Sequence, residues 1–433
     1  MPVIDPRPSA RPAPPSEDAC CPEFAAMSRR SVLRGALALG GATFVVGSAT
    51  VSASASSATP ASSVLVVLSM RGGADGLSLV VPYGDPGYYS ARPTIAVPQD
   101  QLLATDGYFG LHPALAPLLP LWGAGRLAAV HATGLTTANR SHFSAMEQVE
   151  EAHPGSSARV GWLNRLVGTN SDGSPLQGVG IVNGAPPTEL SGPLPLMTVR
   201  SLDDASIAAD DQWDTDPAGK RRRSLQTLWE TDRSAMGTAV RATLQATADI
   251  APAVSAADNS SQYGKSHLGQ ALAAAARIIR GNVGTEVITV DQGDWDMHVD
   301  LGDLNGGQMR ANAADLATAL AAFFGDLGDQ ADKVTLVTVS EFGRRVLENG
   351  NRGLDHGWGN VMFVAGAGVK GGSYYVNQQQ GWKPLSDDLE SDLHVTTDYR
   401  NVLAEVVTTR FGAPVSTVFP GLTPDTVGCM QGT

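Results

Sequence analysis

Short aliphatic and β-branched runs recur along the chain, at 64–68, 127–131, 179–182, 286–290, 334–339 and 361–364. Apolar runs of this length, bounded by Gly, Pro, Asn or Asp, predict buried strands. Between them lie segments with helical spacing or Ala/Leu-rich composition: 113–122, 141–152, 222–248, 268–280, 308–327 and 399–410. Strands alternating with helices predict an α/β fold whose sheet is mostly parallel and covered by helices on both faces. The stretch 170–262 is polar and rich in Ser, Asp and Pro, and predicts no strand after Val182. It is expected as an insertion or cap on the main sheet, inside one domain spanning 62–433.

Composition narrows the class. Apolar residues make up 42% of the 433 and charged residues 17%. That is too apolar for a disordered chain and too mixed for a polytopic membrane protein. The net charge of -13 argues against nucleic acid as a partner, which needs cationic surface.

Residues 1–55 read as an export leader and disordered N-terminus. Ser28-Arg29-Arg30-Ser31-Val32-Leu33-Arg34 is a twin-arginine pattern, followed by a moderately apolar run and the small-residue cleavage signal Ala53-Ser54-Ala55. The run is too short and too rich in Gly, Ala, Ser and Thr for a permanent membrane span. The expected partner during export is the twin-arginine translocase, and the destination is the periplasm, the cell envelope or the exterior. Cleavage after Ala55 removes Cys20 and Cys21 and leaves a net charge of -14. Cys429 is then alone, so no intramolecular disulfide stabilises the mature chain.

Ligands of open parallel sheets bind beyond the carboxyl ends of the strands. Asp75 follows the first expected strand, within Arg71-Gly72-Gly73-Ala74-Asp75-Gly76. Arg140-Ser141-His142-Phe143 follows the second. Asp291, Asp294, Asp296 and His298 follow the fourth, and Glu341 the fifth. Asp355-His356-Gly357 precedes the sixth. Carboxylates and neutral imidazoles without thiolates are the ligand set of a divalent ion such as Zn, Mn, Ca or Mg. On extended backbone, Asp296 and His298 project to one face. The candidate ligands are these strand-end carboxylates and histidines, Asp75, Asp291, Asp294, Asp296, His298, Glu341, Asp355 and His356.

Ser141 stands where a helix begins. It is an N-cap or, by the same placement, a nucleophile whose alkoxide the helix N-terminus stabilises. Arg140 beside it is an expected anion binder, and His142 a proton donor or an orienting group. Gly366-Ala367-Gly368-Val369-Lys370-Gly371 fits a dinucleotide fingerprint but precedes a strand-like segment, Ser373-Tyr374-Tyr375-Val376, and fails the context test. No G-x-S-x-G elbow is present.

Further motifs occur in order: Tyr88-Tyr89-Ser90-Ala91-Arg92-Pro93, Gly110-Leu111-His112-Pro113, Gly161-Trp162-Leu163, Asp294-Trp295-Asp296-Met297-His298, Ser340-Glu341-Phe342-Gly343-Arg344 and Thr396-Thr397-Asp398-Tyr399-Arg400. With the leader and the strand-end motifs, they resemble the DUF1501 family of exported bacterial proteins, placed within the alkaline phosphatase/sulfatase superfamily. The resemblance implies an alkaline-phosphatase-like α/β fold with a metal-assisted hydrolytic site. It makes Asp75, Asp296, His298 and His356 metal ligands and Ser141 the nucleophile. Glu341 stands where an Asp-His pair is usual, with Phe342 in place of the histidine, so a second metal site is weak or missing.

The expected function is hydrolysis of phosphate or sulfate esters, of small molecules or of glycans or lipids. Ser141 attacks, assisted by one Asp/His-bound ion. The alternative is an envelope binding protein that keeps the fold without turnover.

Overall fold

Side chains of the first central strand alternate between two helical layers. The computed structural model describes residues 60–205, 220–385 and 392–431, with two short strands at 44–46 and 49–51. Most of the expected leader lies outside the described residues. The main sheet holds β1 (Val64–Met70), β2 (Leu127–Gly134), β3 (Gly178–Ile181), β4 (Met197–Val199), β5 (Val287–Gln292), β6 (Val334–Val339), β7 (Asn360–Gly366), β8 (Ser373–Tyr375) and β9 (Thr397–Asp398). The helices that matter here are α1 (Gly76–Leu79), α2 (His142–Glu151), α3 (His267–Gly281), α4 (Gln308–Leu327) and α5 (Tyr399–Phe411).

On β1, Val64, Val66, Leu68 and Met70 pack with α3 and α4, while Leu65 and Val67 pack with α2 and α5. A strand buried on both faces reads as an unbroken apolar run, which is why the strands were visible in the sequence. On α4, Met309, Ala313, Leu316, Leu320, Phe323 and Leu327 are buried at three- and four-residue steps. Each fully buried side chain of Leu or Phe size contributes about 1.5–3 kcal/mol.

The strand order is β4-β3-β5-β1-β6-β7-β2-β8, with β9 also on β2 and the pair 44–46/49–51 beyond β4. From β4 to β6 every pairing is parallel. β7 runs antiparallel to both neighbours, and β8 and β9 lie parallel to β2. Met70 pairs with Gln292 and Ser69 with Val339, so β1, β5 and β6 end level. The reversal of β7 brings its entry, not its exit, to the same rim. Loops 71–75, 293–298, 340–345 and 355–359 therefore emerge side by side, with the start of α2 after β2.

The sheet is α/β and mostly parallel, as expected. Three local expectations change. Besides the expected strand at 179–182, which is β3, the stretch 170–262 adds a second strand, β4, to the sheet's side. The expected helix 222–248 is two, Lys220–Trp229 and Ala235–Asp249. The break comes where Asp232 Oδ1 accepts from the Ser234 amide at 2.7 Å and Ser234 Oγ from the Gly237 amide at 3.1 Å. Segment 113–122 begins as a 3₁₀ helix, Pro113–Leu118, before one α turn, Leu119–Gly123. Pro117 and Pro120 lack the amides an α-helix needs there. The glycine-rich 366–371 leads into β8, not into a helix. Among the described residues no helix is long and apolar enough to cross a membrane.

Candidate metal centre

Three imidazoles and a carboxylate meet at this rim. His142 Nε2 lies 2.9 Å from His356 Nε2, and His298 Nε2 lies 2.9 Å from His356 Nε2 on another side. Asp296 Oδ1 is 3.1 Å from His298 Nε2, 3.4 Å from His356 Nε2 and 3.6 Å from His142 Nε2. His142, Asp296 and His356 form the tight set, their ligand atoms all within 4.8 Å of one another. His298 adjoins two of the three.

The far side of each ring is committed. His142 Nδ1 bonds Glu341 Oε1 at 2.8 Å, His298 Nδ1 bonds Asp355 Oδ1 at 3.0 Å, and His356 Nδ1 bonds the Arg140 carbonyl at 2.9 Å. Partners that only accept place the neutral ring's proton on Nδ1, so each Nε2 presents a lone pair inward. Lone pairs facing at 2.9 Å repel unless a proton or a cation lies between them. Metal bonds of about 2.0–2.2 Å put tetrahedral ligand atoms roughly 3.3–3.6 Å apart, close to the separations in the tight set. The donor set and its spacing therefore fit a divalent ion.

In the ion-free protein the same partners favour protons. Burial lowers the His142 pKa, but hydrogen bonds to Asp296 and Glu341 outweigh it and hold the ring at about 9. His298 is raised, first by its bond to Asp296, against burial, with Asp355 adding to it. Burial alone would raise Glu341, yet the His142 bond and backbone amides, including Gly72's, hold it below the usual carboxylate range.

The scaffold explains the glycines. Gly72 has φ +109°, and a Cβ there would sit 2.6 Å from the Asp296 amide nitrogen. Its own amide donates to Glu341 Oε1 at 2.8 Å. At Gly343 a Cβ would meet the Gly359 carbonyl at 1.8 Å, so the loops entering and leaving the rim touch backbone to backbone. Phe342 lies with its ring centroid 4.8 Å from those of both His142 and His356. In the place where the resemblance expects a histidine, it walls the centre without a ligand atom.

Asp296, His298 and His356 meet as expected, while the other expected site residues take different places. Glu341 orients His142 rather than facing the cluster. His142, expected as proton donor or orienting group, is one of the converging donors. Asp75 is elsewhere engaged: it is buried, caps α1 by accepting from the Ser78 amide, and grips Arg92 with both oxygens at 2.5 and 2.9 Å. Despite burial, the Arg92 charge holds its pKa below the ordinary value. The Arg140 guanidinium pairs with Asp392, leaving its carbonyl to address His356. Ser141 has the backbone of an N-cap, but its side chain makes no capping bond.

Sequence reasoning missed the role of Arg344. Its buried guanidinium donates to Asp296 Oδ1 at 2.7 Å, to the Gly73 carbonyl at 2.6 Å and to the Leu354 and Trp295 carbonyls. It fixes Asp296 and ties together three of the rim loops. Only its place at the end of the Ser340–Arg344 motif marked it, and nothing local told that it turns inward.

Beside the centre opens a cleft of about 580 Å³, lined by Ser141, His142 and Glu341 at one end and by α2 and the 184–188 loop along its length.

The fold and rim define an α/β protein with an imidazole–carboxylate centre at the carboxyl end of its parallel strands. The family model of DUF1501, described as a protein of unknown function, matches residues 62–403, and the chain belongs to that family. No curated protein matches it.

Proposed function

We propose that the chain is an exported, metal-dependent hydrolase of phosphate or sulfate esters, within the alkaline phosphatase/sulfatase superfamily. The observation that carries the reading is the convergence of His142, Asp296 and His356 with both imidazoles already committed at Nδ1. Two imidazoles and a carboxylate suit Zn²⁺ or Mn²⁺ better than Ca²⁺ or Mg²⁺, whose sites are built from oxygen. A bound ion supplies positive charge that polarises an ester oxygen.

The protein's own groups do the rest. Glu341 holds His142 in one tautomer and Arg344 fixes the Asp296 carboxylate. Ser141 Oγ, uncapped at the start of the ten-residue α2, attacks phosphorus or sulfur. The ester alcohol leaves with a proton, and water then cleaves the serine ester and restores the hydroxyl. With the Arg140 guanidinium held by Asp392, the first-turn amides of α2 are the anion-binding groups. Asp75, held by Arg92, supplies no second site, so one ion is proposed.

Metal-loaded protein should cleave members of an aryl phosphate and aryl sulfate panel. Ser141→Ala should lower turnover by about 10³-fold or more while keeping the ion. Loaded protein that cleaves none of them overturns the hydrolase and leaves the envelope binding protein.

A further inference from the structure

We infer that the cleft beside the centre receives the organic part of the substrate and selects a cationic ammonium group on an apolar body. This rests on the ester-hydrolase reading, since it assigns the anionic end of the ligand to the centre. The rest of the cleft has a character of its own.

Its walls are apolar where α2 faces the 184–188 loop: Phe143 and Met146 stand on one side, Pro186 and Pro187 on the other. Phe143 keeps 37% of its surface exposed. The charged lining is lopsided. Away from the centre Glu147, Glu150 and Asp291 face one lining cation, Arg71, while at the other end Glu341 is bonded to His142. That cation is already committed, with Nη2 2.9 Å from Glu150 Oε1 and Nε 2.9 Å from Asp291 Oδ1. Thr188's amide donates to the other Glu150 oxygen at 2.7 Å, which ties the loop to this pair. Glu147 pairs with Arg159 at the exposed rim, where water screens the pair.

An anionic organic group entering this cleft would meet a carboxylate surplus and no uncommitted cation among the described lining residues. An ammonium group would meet attraction from that surplus and from the face of Phe143. A bound ion and the α2 N-terminus would give the opposite sign at the Ser141 end. The cleft is thus polarised along its length, suiting a ligand anionic at one end and cationic at the other.

The test compares three phosphate monoesters of similar size bound to metal-loaded Ser141→Ala protein, by calorimetry. Phosphocholine carries the cation, 3,3-dimethylbutyl phosphate is its uncharged carbon isostere, and 2-carboxyethyl phosphate carries an anion. Phosphocholine should bind about tenfold tighter than the isostere, and the carboxylate weaker still. Glu147→Gln and Asp291→Asn should each cut the preference about threefold. Glu147→Gln, at the exposed rim, serves alone if Asp291→Asn does not fold. Equal affinities, a reversed order, or no binding by any of the three overturns the inference. Turnover of the uncharged isostere by the unmutated protein is scored separately, so a failed cleft and a failed hydrolase are told apart.

Discussion

His142 and His356 face each other through Nε2 at 2.9 Å, while Glu341 and the Arg140 carbonyl hold their opposite nitrogens. Two rings pinned from behind cannot turn their lone pairs away from each other. The arrangement has a physical cause only if something positive belongs between them, and its consequences can be measured.

Removing the pin on His142 should loosen the centre. Glu341→Ala deletes the acceptor for His142 Nδ1 and leaves the buried Gly72 amide without its partner. Metal affinity, measured by chelator competition, should fall about 10–100-fold. The melting temperature should fall too, since an orphaned buried amide costs about 1–3 kcal/mol. An unchanged affinity would mean that Glu341 does not orient a ligand.

Metal binding should be proton-linked. Ion-free His142 keeps its proton up to about 9, and the ion needs that ring neutral. Affinity should therefore rise with pH through neutrality and level off above about 9, with proton release visible as a buffer-dependent heat. In the ion-free protein the sign is opposite. A raised pKa makes the His142 contacts stabilising in full below about 6.5, and that contribution is lost as pH rises through about 9. Affinity that does not change between pH 6 and 9 would contradict the assignment of His142.

Asp75 and Arg92 should matter for stability and not for metal content. Both are buried, and Asp75→Asn or Arg92→Met leaves one charge without its partner. The expected cost is about 3–5 kcal/mol by denaturant unfolding, with the ion retained in the folded fraction. Loss of the ion at unchanged stability would return Asp75 to the ligand set.

Much of the fold was legible because its strands are buried on both faces. β6 spans 334–339 and α4 spans Gln308–Leu327, as expected from their apolar patterns. β4, only three residues long and starting two residues after Pro195, is too short to signal itself and exists because β3 offers it an edge. Asp296, His298 and His356 were legible because they flank strand ends at one rim. Asp75 sits at an equivalent strand end and misled, because its partner Arg92 lies 17 residues on, and no local pattern announces a buried ion pair. His142 reads from the sequence as a proton donor or an orienting group, yet α2 turns its ring onto Glu341 and the cluster as one of the converging donors. Which face a helix presents at its first residue depends on packing that the sequence carries only diffusely.

Export should depend on the paired arginines. Arg29→Lys with Arg30→Lys should retain the chain in the cytoplasm at its uncleaved length, scored by fractionation and mass spectrometry. Normal export of that variant would contradict the twin-arginine leader.

The most direct measurement is elemental analysis of the protein purified after export by its native route, alongside His142→Ala and His356→Ala. A metal centre built on these two rings should give near-stoichiometric Zn or Mn in the unmutated protein, and its loss from both variants while circular dichroism shows the fold intact. Protein that carries no transition metal and takes none up at micromolar concentration would contradict it.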